Sequence, residues 1–243
     1  MSGFKRFFCS GVALLMMFIA CSSDKESPVT PTTPPKAPEF TLKQFVFPAK
    51  MMQSADEKAK LALQIAAEVT NFEGTGCIFE PPAGATAVKE ESGNWEYEWM
   101  DNNVKNVLKI TAGGGRYTWQ LLLSGNVDGV SLENWRKMDV VQRTDQTNGH
   151  VYLYKLGTQQ ITIEWVWYTL ENGDYKFVKQ WYEPPTGKIE FTFKADKSGR
   201  LERFSPNSKG SLVYDLRITW NSEGNGAWWT FNDGTQTGYG SWN

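Results

Sequence analysis

The strongest constraint in this sequence is an alternation of large apolar and polar residues that recurs from Gly84 to the end of the chain. In the run Ile161-Thr162-Ile163-Glu164-Trp165-Val166-Trp167, a large apolar side chain occupies every second position. Successive side chains of a β-strand point to opposite faces, so such a strand has one apolar face and one polar face. The same period recurs within residues 95–99, 117–123, 189–193 and 212–220. The pattern predicts a sheet with one buried face.

Short turn signals separate these alternating segments. Gly, Asn, Asp and Ser cluster between them, as in Asn148-Gly149, Asn172-Gly173 and Asp233-Gly234. Connections of this length join antiparallel neighbours. The sequence therefore predicts a mainly β fold, an antiparallel meander of about 10–13 strands that forms either a barrel or a strongly curved sheet.

Two pairs of short segments indicate internal repeats. Phe79-Glu80-Pro81-Pro82-Ala83-Gly84 resembles Tyr182-Glu183-Pro184-Pro185-Thr186-Gly187, and Leu108-Lys109-Ile110-Thr111 resembles Leu216-Arg217-Ile218-Thr219. The two pairs follow the same order at similar offsets, which favours repetition of a unit of about four strands. Gly93, Gly149 and Gly199 are the equivalent turn positions of the three units.

One helix is predicted ahead of the strands. Ser54-Ala55-Asp56-Glu57 matches the capping-box pattern of a helix start. The apolar residues that follow recur at helical spacing, namely Leu61, Ile65, Val69 and Phe72. We expect a helix near residues 55–72 whose apolar stripe packs onto the sheet.

The amino end has the layout of a signal peptide. Lys5 and Arg6 precede a mostly apolar run over residues 7–20. At 1.5 Å per residue this run spans about 21 Å, less than the hydrocarbon core of about 30 Å, which disfavours a permanent transmembrane helix. We therefore expect residues 1–20 to be removed after export.

The end of this run resembles a known processing motif. Phe18-Ile19-Ala20-Cys21 is similar to the lipobox of bacterial lipoproteins. The resemblance implies a diacylglyceryl group on the sulfur of Cys21, cleavage before Cys21, and acylation of the new amine. Ser22 stands where an aspartate favours inner-membrane retention in enteric bacteria, so the resemblance implies a lipid-anchored protein of the outer membrane, on its periplasmic face or at the cell surface.

The remaining chain divides into a tether and one domain. Residues 21–38 contain the lipidated cysteine followed by Ser, Thr, Pro and charged residues, a composition that favours an extended tether. We expect residues 39–243 to form a single β-rich domain with enough chain for a sizeable core.

Composition excludes several partners and cofactors. The formal net charge is −2 and the basic residues are scattered, which argues against nucleic acid as a partner. Once Cys9 is removed and Cys21 is lipidated, Cys77 has no partner for a disulfide, and we expect it to be buried and inert. A single histidine, His150, with one thiol cannot form the usual His/Cys metal site, so no metal or cofactor is predicted.

No residue pattern identifies a reaction. Glu96 and Glu98 share one face of a strand, at a separation that overlaps that of inverting glycosidases. Their face is opposite Trp95 and Trp99 and is therefore the solvated one. We predict a non-catalytic protein, with a hydrolase as the residual alternative.

The aromatic residues carry the functional hypotheses. They make up 14% of the chain and include 11 Trp. We expect the domain to bind a glycan or a protein through an aromatic-rich surface. The first alternative is a barrel or half-barrel that carries a lipid or other amphiphile, and the second is a structural envelope lipoprotein. The candidate ligand-binding residues are Trp165, Trp167, Trp228 and Trp229, and the adjacent pair Trp228 and Trp229 must face opposite sides of a strand.

Overall fold

The computed structural model describes residues 36–243. The signal peptide, the lipobox with Cys21 and most of the predicted tether lie outside the described residues. Ala37 already packs against the core, so the folded part begins before residue 39.

Strands dominate the described part of the chain. They are β1 (Thr86–Glu91), β2 (Asn94–Asp101), β3 (Val104–Gly113), β4 (Arg116–Val127), β5 (Val130–Arg143), β6 (Asn148–Tyr154), β7 (Ile161–Thr169), β8 (Tyr175–Trp181), β9 (Gly187–Phe193), β10 (Gly199–Pro206), β11 (Leu212–Trp220), β12 (Gly226–Asn232) and β13 (Thr235–Trp242).

All thirteen strands form one antiparallel sheet, and each strand pairs with its neighbours in the sequence. This arrangement confirms the predicted meander. Within residues 36–243 the sheet does not close, because β1 pairs with β2 alone and β13 with β12 alone. The structure is therefore the open, curved form of the two architectures that the sequence predicts.

The alternation in the sequence gives the sheet two different faces. In β9, Ile189, Phe191 and Phe193 are buried, whereas Glu190 and Thr192 between them are partly exposed. We call the face that carries the buried residues the covered face. The opposite face, over which no described element packs, is the uncovered face.

An irregular segment, residues 36–48, lies along the covered face. Its aromatic rings cross several strands: Phe40 contacts Trp119 of β4 at 5.7 Å and Trp167 of β7 at 6.0 Å between ring centroids. Further along, Phe45 lies 4.5 Å from Phe193. In a flat sheet β4 and β7 would be about 14 Å apart. Because one ring reaches both tryptophans, the covered face is concave at this point.

Two helices complete the covered face, α1 (Ala49–Met52) and α2 (Glu57–Thr70), with a short 3-10 helix over Glu73–Thr75. Along α2, Ile65 and Val69 are buried, and Phe72 just beyond it packs on Trp165 with 5.1 Å between ring centroids. Within residues 36–243, these helices are too short or too polar to cross a membrane. The predicted helix and its packing are confirmed.

The start of α2 differs from the predicted capping box. The N-cap residue is Asp56, whose Oδ1 accepts hydrogen bonds from the backbone N–H groups of Lys58 at 2.8 Å and Ala59 at 3.1 Å. Ser54 instead accepts from the N–H of Asp56 at 3.2 Å. The prediction of Ser54 as the cap was wrong, because a carboxylate placed two residues later satisfies two free N–H groups of the first turn.

The segments that resemble each other in sequence occupy similar positions in the sheet. The two Pro-Pro motifs precede β1 and β9, and the Leu-Lys-Ile-Thr motif and its counterpart lie in β3 and β11. Gly93, Gly149 and Gly199 lie at or next to the starts of β2, β6 and β10. These positions recur every four strands, which fits the predicted repeat unit.

Candidate functional site

Two of the four predicted tryptophans lie in the interior. Trp165 and Trp167 are both 0% exposed on the covered face of β7. The indole nitrogen of Trp165 donates a hydrogen bond to the carbonyl oxygen of Val69 in α2 at 2.9 Å. Their predicted inward orientation is confirmed, and they offer no surface to solvent.

The other two tryptophans lie on opposite faces of β12, as predicted. Trp228 pairs with Ile218 and lies on the covered side, where the ammonium of Lys58 is 5.3 Å from its ring centroid. Trp229 pairs with Arg217 and lies on the uncovered face, 5.5 Å from the ring of Tyr239. Of the four, Trp229 alone is directed to the uncovered face.

A group of polar aromatic residues lies at the centre of the uncovered face. We call it the tyrosine platform, and it consists of His150, Tyr152, Tyr154 and Tyr182. The rings of His150 and Tyr152 are stacked, with centroids 4.2 Å apart and planes within 16°. These two residues alternate along β6 with the buried Val151 and Leu153. The two rings therefore form a stacked aromatic pair on the open side of the sheet.

Two carboxylates flank the platform through the strand register. Tyr152 pairs with Asp139 of β5 on one side and with Glu164 of β7 on the other. Arg136 donates a hydrogen bond to Asp139 at 2.9 Å, and its guanidinium lies 5.0 Å from the ring centroid of Tyr154. Aromatic rings, acceptors and a donor therefore meet over three adjacent strands.

The platform is uncharged at neutral pH. Burial lowers the pKa of His150, against the opposing effect of Asp139 and Glu164. Burial, together with a hydrogen bond to Glu164, raises the pKa of Tyr182 to about 12. Burial also raises the pKa of Tyr152. A neutral imidazole has one donor and one acceptor nitrogen, and a neutral phenol can donate or accept, so the platform suits a ligand rich in hydroxyl groups.

A second aromatic group lies on the uncovered face towards the carboxyl end. We call it the C-terminal aromatic cluster, and it consists of Phe204, Tyr214, Trp229, Phe231 and Tyr239. Its ring centroids are 4.6 Å apart for Phe204 and Tyr214, and 6.1 Å apart for Tyr214 and Phe231. Tyr239 is 60% exposed. The cluster gives the sheet a second accessible aromatic surface.

The remaining candidates for chemistry have structural roles in the described residues. Glu96 and Glu98 lie on the uncovered face as predicted, in ion pairs with Lys109 at 3.4 Å and Lys105 at 2.7 Å. Cys77 is buried, and burial raises its pKa to about 11 despite a hydrogen bond with Thr75 and the nearby Lys137 and Lys179. Within residues 36–243, no three His, Cys, Asp or Glu side chains are grouped to hold a metal ion.

The tyrosine platform was not predicted from the sequence. Tryptophans dominated the pattern, yet most of them are in the core. The available signal was that His150, Tyr152 and Tyr154 occupy the polar phase of β6, where an aromatic side chain must face away from the core.

The fold and the surface define a class of protein: a single open antiparallel sheet with one face packed by helices and the other bearing polar aromatic residues. The chain matches no protein-family model, and no curated protein matches it in sequence.

Proposed function

We propose that this chain is an exported, non-catalytic lipoprotein that binds a glycan on the uncovered face of its sheet. In this proposal a lipid on Cys21 anchors it to the outer membrane. The observation that supports glycan binding is the stacked pair of His150 and Tyr152, flanked in register by the carboxylates of Asp139 and Glu164.

The chemistry of a sugar ring fits this arrangement. One face of a pyranose presents C–H groups, which pack favourably against an aromatic ring. Its edge carries hydroxyl groups. These can donate hydrogen bonds to carboxylates, and they can donate to or accept from neutral phenols. In this arrangement the ring of Tyr152 would pack against the C–H face of the sugar. Asp139, Glu164 and Tyr182 would lie beside the hydroxyl groups at the edge of the sugar. Hydrogen bonds to charged acceptors are among the stronger ones, so this geometry favours a polyhydroxylated ligand.

Glycan binding is favoured over transport of an amphiphile. A carrier would enclose its cargo on the apolar side of the sheet. That side is occupied by the chain itself, because Phe40, Phe45 and α2 pack directly on the buried residues of β4, β7 and β9. The other alternative is a structural lipoprotein without a ligand. That role does not account for a half-buried group of neutral polar aromatic residues on the uncovered face.

The full-length lipoprotein, solubilised in detergent, tests the proposal on a panel of glycans. We expect Tyr152→Ala to weaken binding of the best glycan by about tenfold or more, since one lost aromatic and hydrogen-bonded contact is worth about 1.5 kcal/mol or more. Tyr97→Ala on β2 removes a partly buried tyrosine far from the platform and should leave binding unchanged.

Binding that survives both Tyr152→Ala and His150→Ala would contradict the proposed site. A panel without a single binding glycan would contradict the proposed function. Native mass spectrometry of the same sample distinguishes the carrier, because a co-purifying amphiphile would support that alternative.

A further inference from the structure

Two carboxylates on the uncovered face are each held between two cations. Glu190 of β9 contacts the ammonium groups of Lys176 and Lys188, both at 2.7 Å. Glu202 of β10 is contacted by Arg200 at 3.1 Å and by Arg217 at 2.9 Å. We call these residues the cationic band: Lys176, Lys188, Glu190, Arg200, Glu202 and Arg217. The band lies on β8–β11, between the tyrosine platform and the C-terminal aromatic cluster.

The cationic band has an excess of positive charge. Each carboxylate neutralises one of its two partners, so two positive charges remain uncompensated within the band. The neighbouring Arg203 is neutralised by Asp215 at 3.0 Å and does not alter this balance. Glu164, which flanks the tyrosine platform, lies on β7 and is separated from the band by Gln180 of β8. The cationic band therefore attracts anions although the whole chain has a net charge of −2.

The cations of the band are positioned before any ligand arrives. The side chains of Glu190 and Glu202 are only 14% and 5% exposed, so they act as fixed supports on the sheet. The partner cations remain more accessible, with Lys188 at 24% and Arg217 at 34%. Side chains that are already ordered lose less conformational entropy when they bind a ligand.

The band is continuous with the second aromatic group. The ammonium of Lys188 lies 4.1 Å from the ring centroid of Phe204, and the guanidinium of Arg217 lies 4.7 Å from that of Tyr214. Arg217 also pairs directly with Trp229. From β6 to β12 the surface crosses six strand spacings, about 29 Å at about 4.8 Å each. One sugar ring could not cover this distance, whereas a chain of sugars could.

We propose that the ligand is an acidic polysaccharide, a long glycan with carboxylate or sulfate groups, which runs across the strands from the tyrosine platform over the cationic band to Trp229. This inference rests on the proposed glycan binding. Arginine and lysine at fixed positions recognise carboxylate and sulfate groups through charge-assisted hydrogen bonds. The aromatic groups at both ends bind sugar faces, which a charged polymer without sugar rings does not offer.

The test compares neutral and acidic polysaccharides of equal length on the full-length lipoprotein in detergent. We expect the acidic polymer to bind at least tenfold more tightly at low salt. The double variant Lys188→Gln/Arg200→Gln removes one cation from each carboxylate and leaves one ion pair at each, so the sheet keeps its internal partners. This variant should lose most of the preference for the acidic polymer, about tenfold, because two charge-assisted contacts are removed. The double variant Lys105→Gln/Lys109→Gln makes the same charge change on β3 and should keep the preference.

Trp229 reports how far the ligand extends. All eleven tryptophans of the sequence lie in the described residues, and Trp229 is the one on the uncovered face. We expect a long acidic polysaccharide to change the tryptophan fluorescence of the wild type but not of Trp229→Phe, and a short fragment to change neither.

Several outcomes would overturn the inference. Equal affinity for neutral and acidic polysaccharides that still depends on Tyr152 would refute it while the proposed glycan binding stands. Equally tight, Tyr152-independent binding of polyglutamate would show a general polyanion surface. If no polysaccharide binds, the proposed function itself fails.

Discussion

Several tryptophans of the covered face lie flat against a glycine of the neighbouring strand. Trp167 pairs with Gly149, Trp220 with Gly199 and Trp242 with Gly226. At each of these three glycines an added Cβ would overlap an indole carbon of the paired tryptophan. A glycine in a strand normally weakens it, but here its missing side chain makes room for a large ring. The pairs explain why a sheet so rich in tryptophan also tolerates glycine within its strands.

The pairing makes a prediction for Gly149. Gly149→Ala should lower the free energy of unfolding by about 1–3 kcal/mol, because an added Cβ would overlap both the ring of Trp167 and the carbonyl oxygen of Val141. Gly113→Ala is the matched control, since an added Cβ there has no atom within 4 Å. The control should have unchanged stability or gain up to about 1 kcal/mol. Urea denaturation measures both, and equal effects would show that the indole does not constrain Gly149.

His150 predicts a pH dependence of stability. Burial lowers its pKa below the ordinary value of 6.5, with Asp139 and Glu164 opposing this effect and Arg116 reinforcing it. Below pH 6.5 the unfolded chain therefore binds more protons at this position than the folded chain. The free energy of unfolding contributed by His150 is present above this pH and is lost as the pH falls through 6.5 towards the folded-state pKa.

The variant His150→Gln isolates this contribution, because His150 is the only histidine in the sequence. Melting temperatures between about pH 8 and pH 5 should fall less steeply for the variant than for the wild type, since the variant has no imidazole to protonate. Carboxylates titrate in both proteins and cancel in the comparison. Parallel curves would mean that His150 titrates in the fold as it does in the unfolded chain.

At the scale of elements, α2 is held by its cap and by one narrow stripe. Ala59, Ala62 and Ala66 are buried beside Ile65 and Val69. Small alanines allow the helix backbone to approach the sheet closely, which brings the carbonyl of Val69 within reach of Trp165. The helix therefore contributes both apolar packing and the hydrogen-bond partner of a buried indole.

The cap of α2 makes a second stability prediction. Asp56→Ala should lower the free energy of unfolding by about 1 kcal/mol, because two backbone N–H groups lose their acceptor. Ser54→Ala, which removes the residue expected as the cap from sequence, should cost less. Thermal melts of both variants decide between the two assignments, and a larger effect at Ser54 would restore the capping box.

The segment over residues 36–48 is an element without regular structure. It has no helical or strand periodicity, yet Phe40, Phe45 and Phe47 fill the concave side of the sheet. Phe47 contacts Trp220 at 5.4 Å and Phe193 at the same distance between ring centroids. The first residues of this segment, 36–38, are the end of the predicted tether, and Ala37 among them already packs against the core.

At the scale of the whole molecule, the sheet formed within residues 36–243 ends in two edge strands, β1 and β13. On β1, Lys89, Glu90 and Glu91 place charges on the edge, which disfavours pairing with another chain. On β13, Trp242 is buried over Gly226, and its indole donates to the carbonyl of Gly224 at 2.8 Å. Gly224 in turn lies against the backbone of Met51 in α1. The last strand is thereby linked to the elements of the covered face.

The anchor proposal belongs to this scale because it determines where the uncovered face operates. We expect Cys21→Ala to give an exported form that is not lipidated and stays soluble, since a thiol is the acceptor for the lipid. Metabolic labelling with a tagged fatty acid measures this directly. Cys77→Ala is the control, because Cys77 is buried and should not be labelled. Equal labelling of the Cys21→Ala variant and the wild type would rule out the lipobox.

Much of this architecture was predictable because its causes are local. The alternation around Trp165, the turn at Asn148-Gly149 and the stripe of Ile65 and Val69 each depend on the period of a single element. The alternation within such a strand determines which of its faces is apolar, whichever strands it pairs with. The mainly β meander, its faces and its single long helix therefore follow from the sequence.

Other features depend on the register between neighbouring strands, and only the tertiary structure decided them. The closure of the sheet is set by accumulated twist and curvature, which no single strand encodes. Tyr152 lies between Asp139 and Glu164 across three strands, and Glu202 lies between Arg200 and Arg217 across two. Sequence periodicity predicts the face of the sheet on which a side chain lies. The side chains that it contacts on that face are determined by strand pairing.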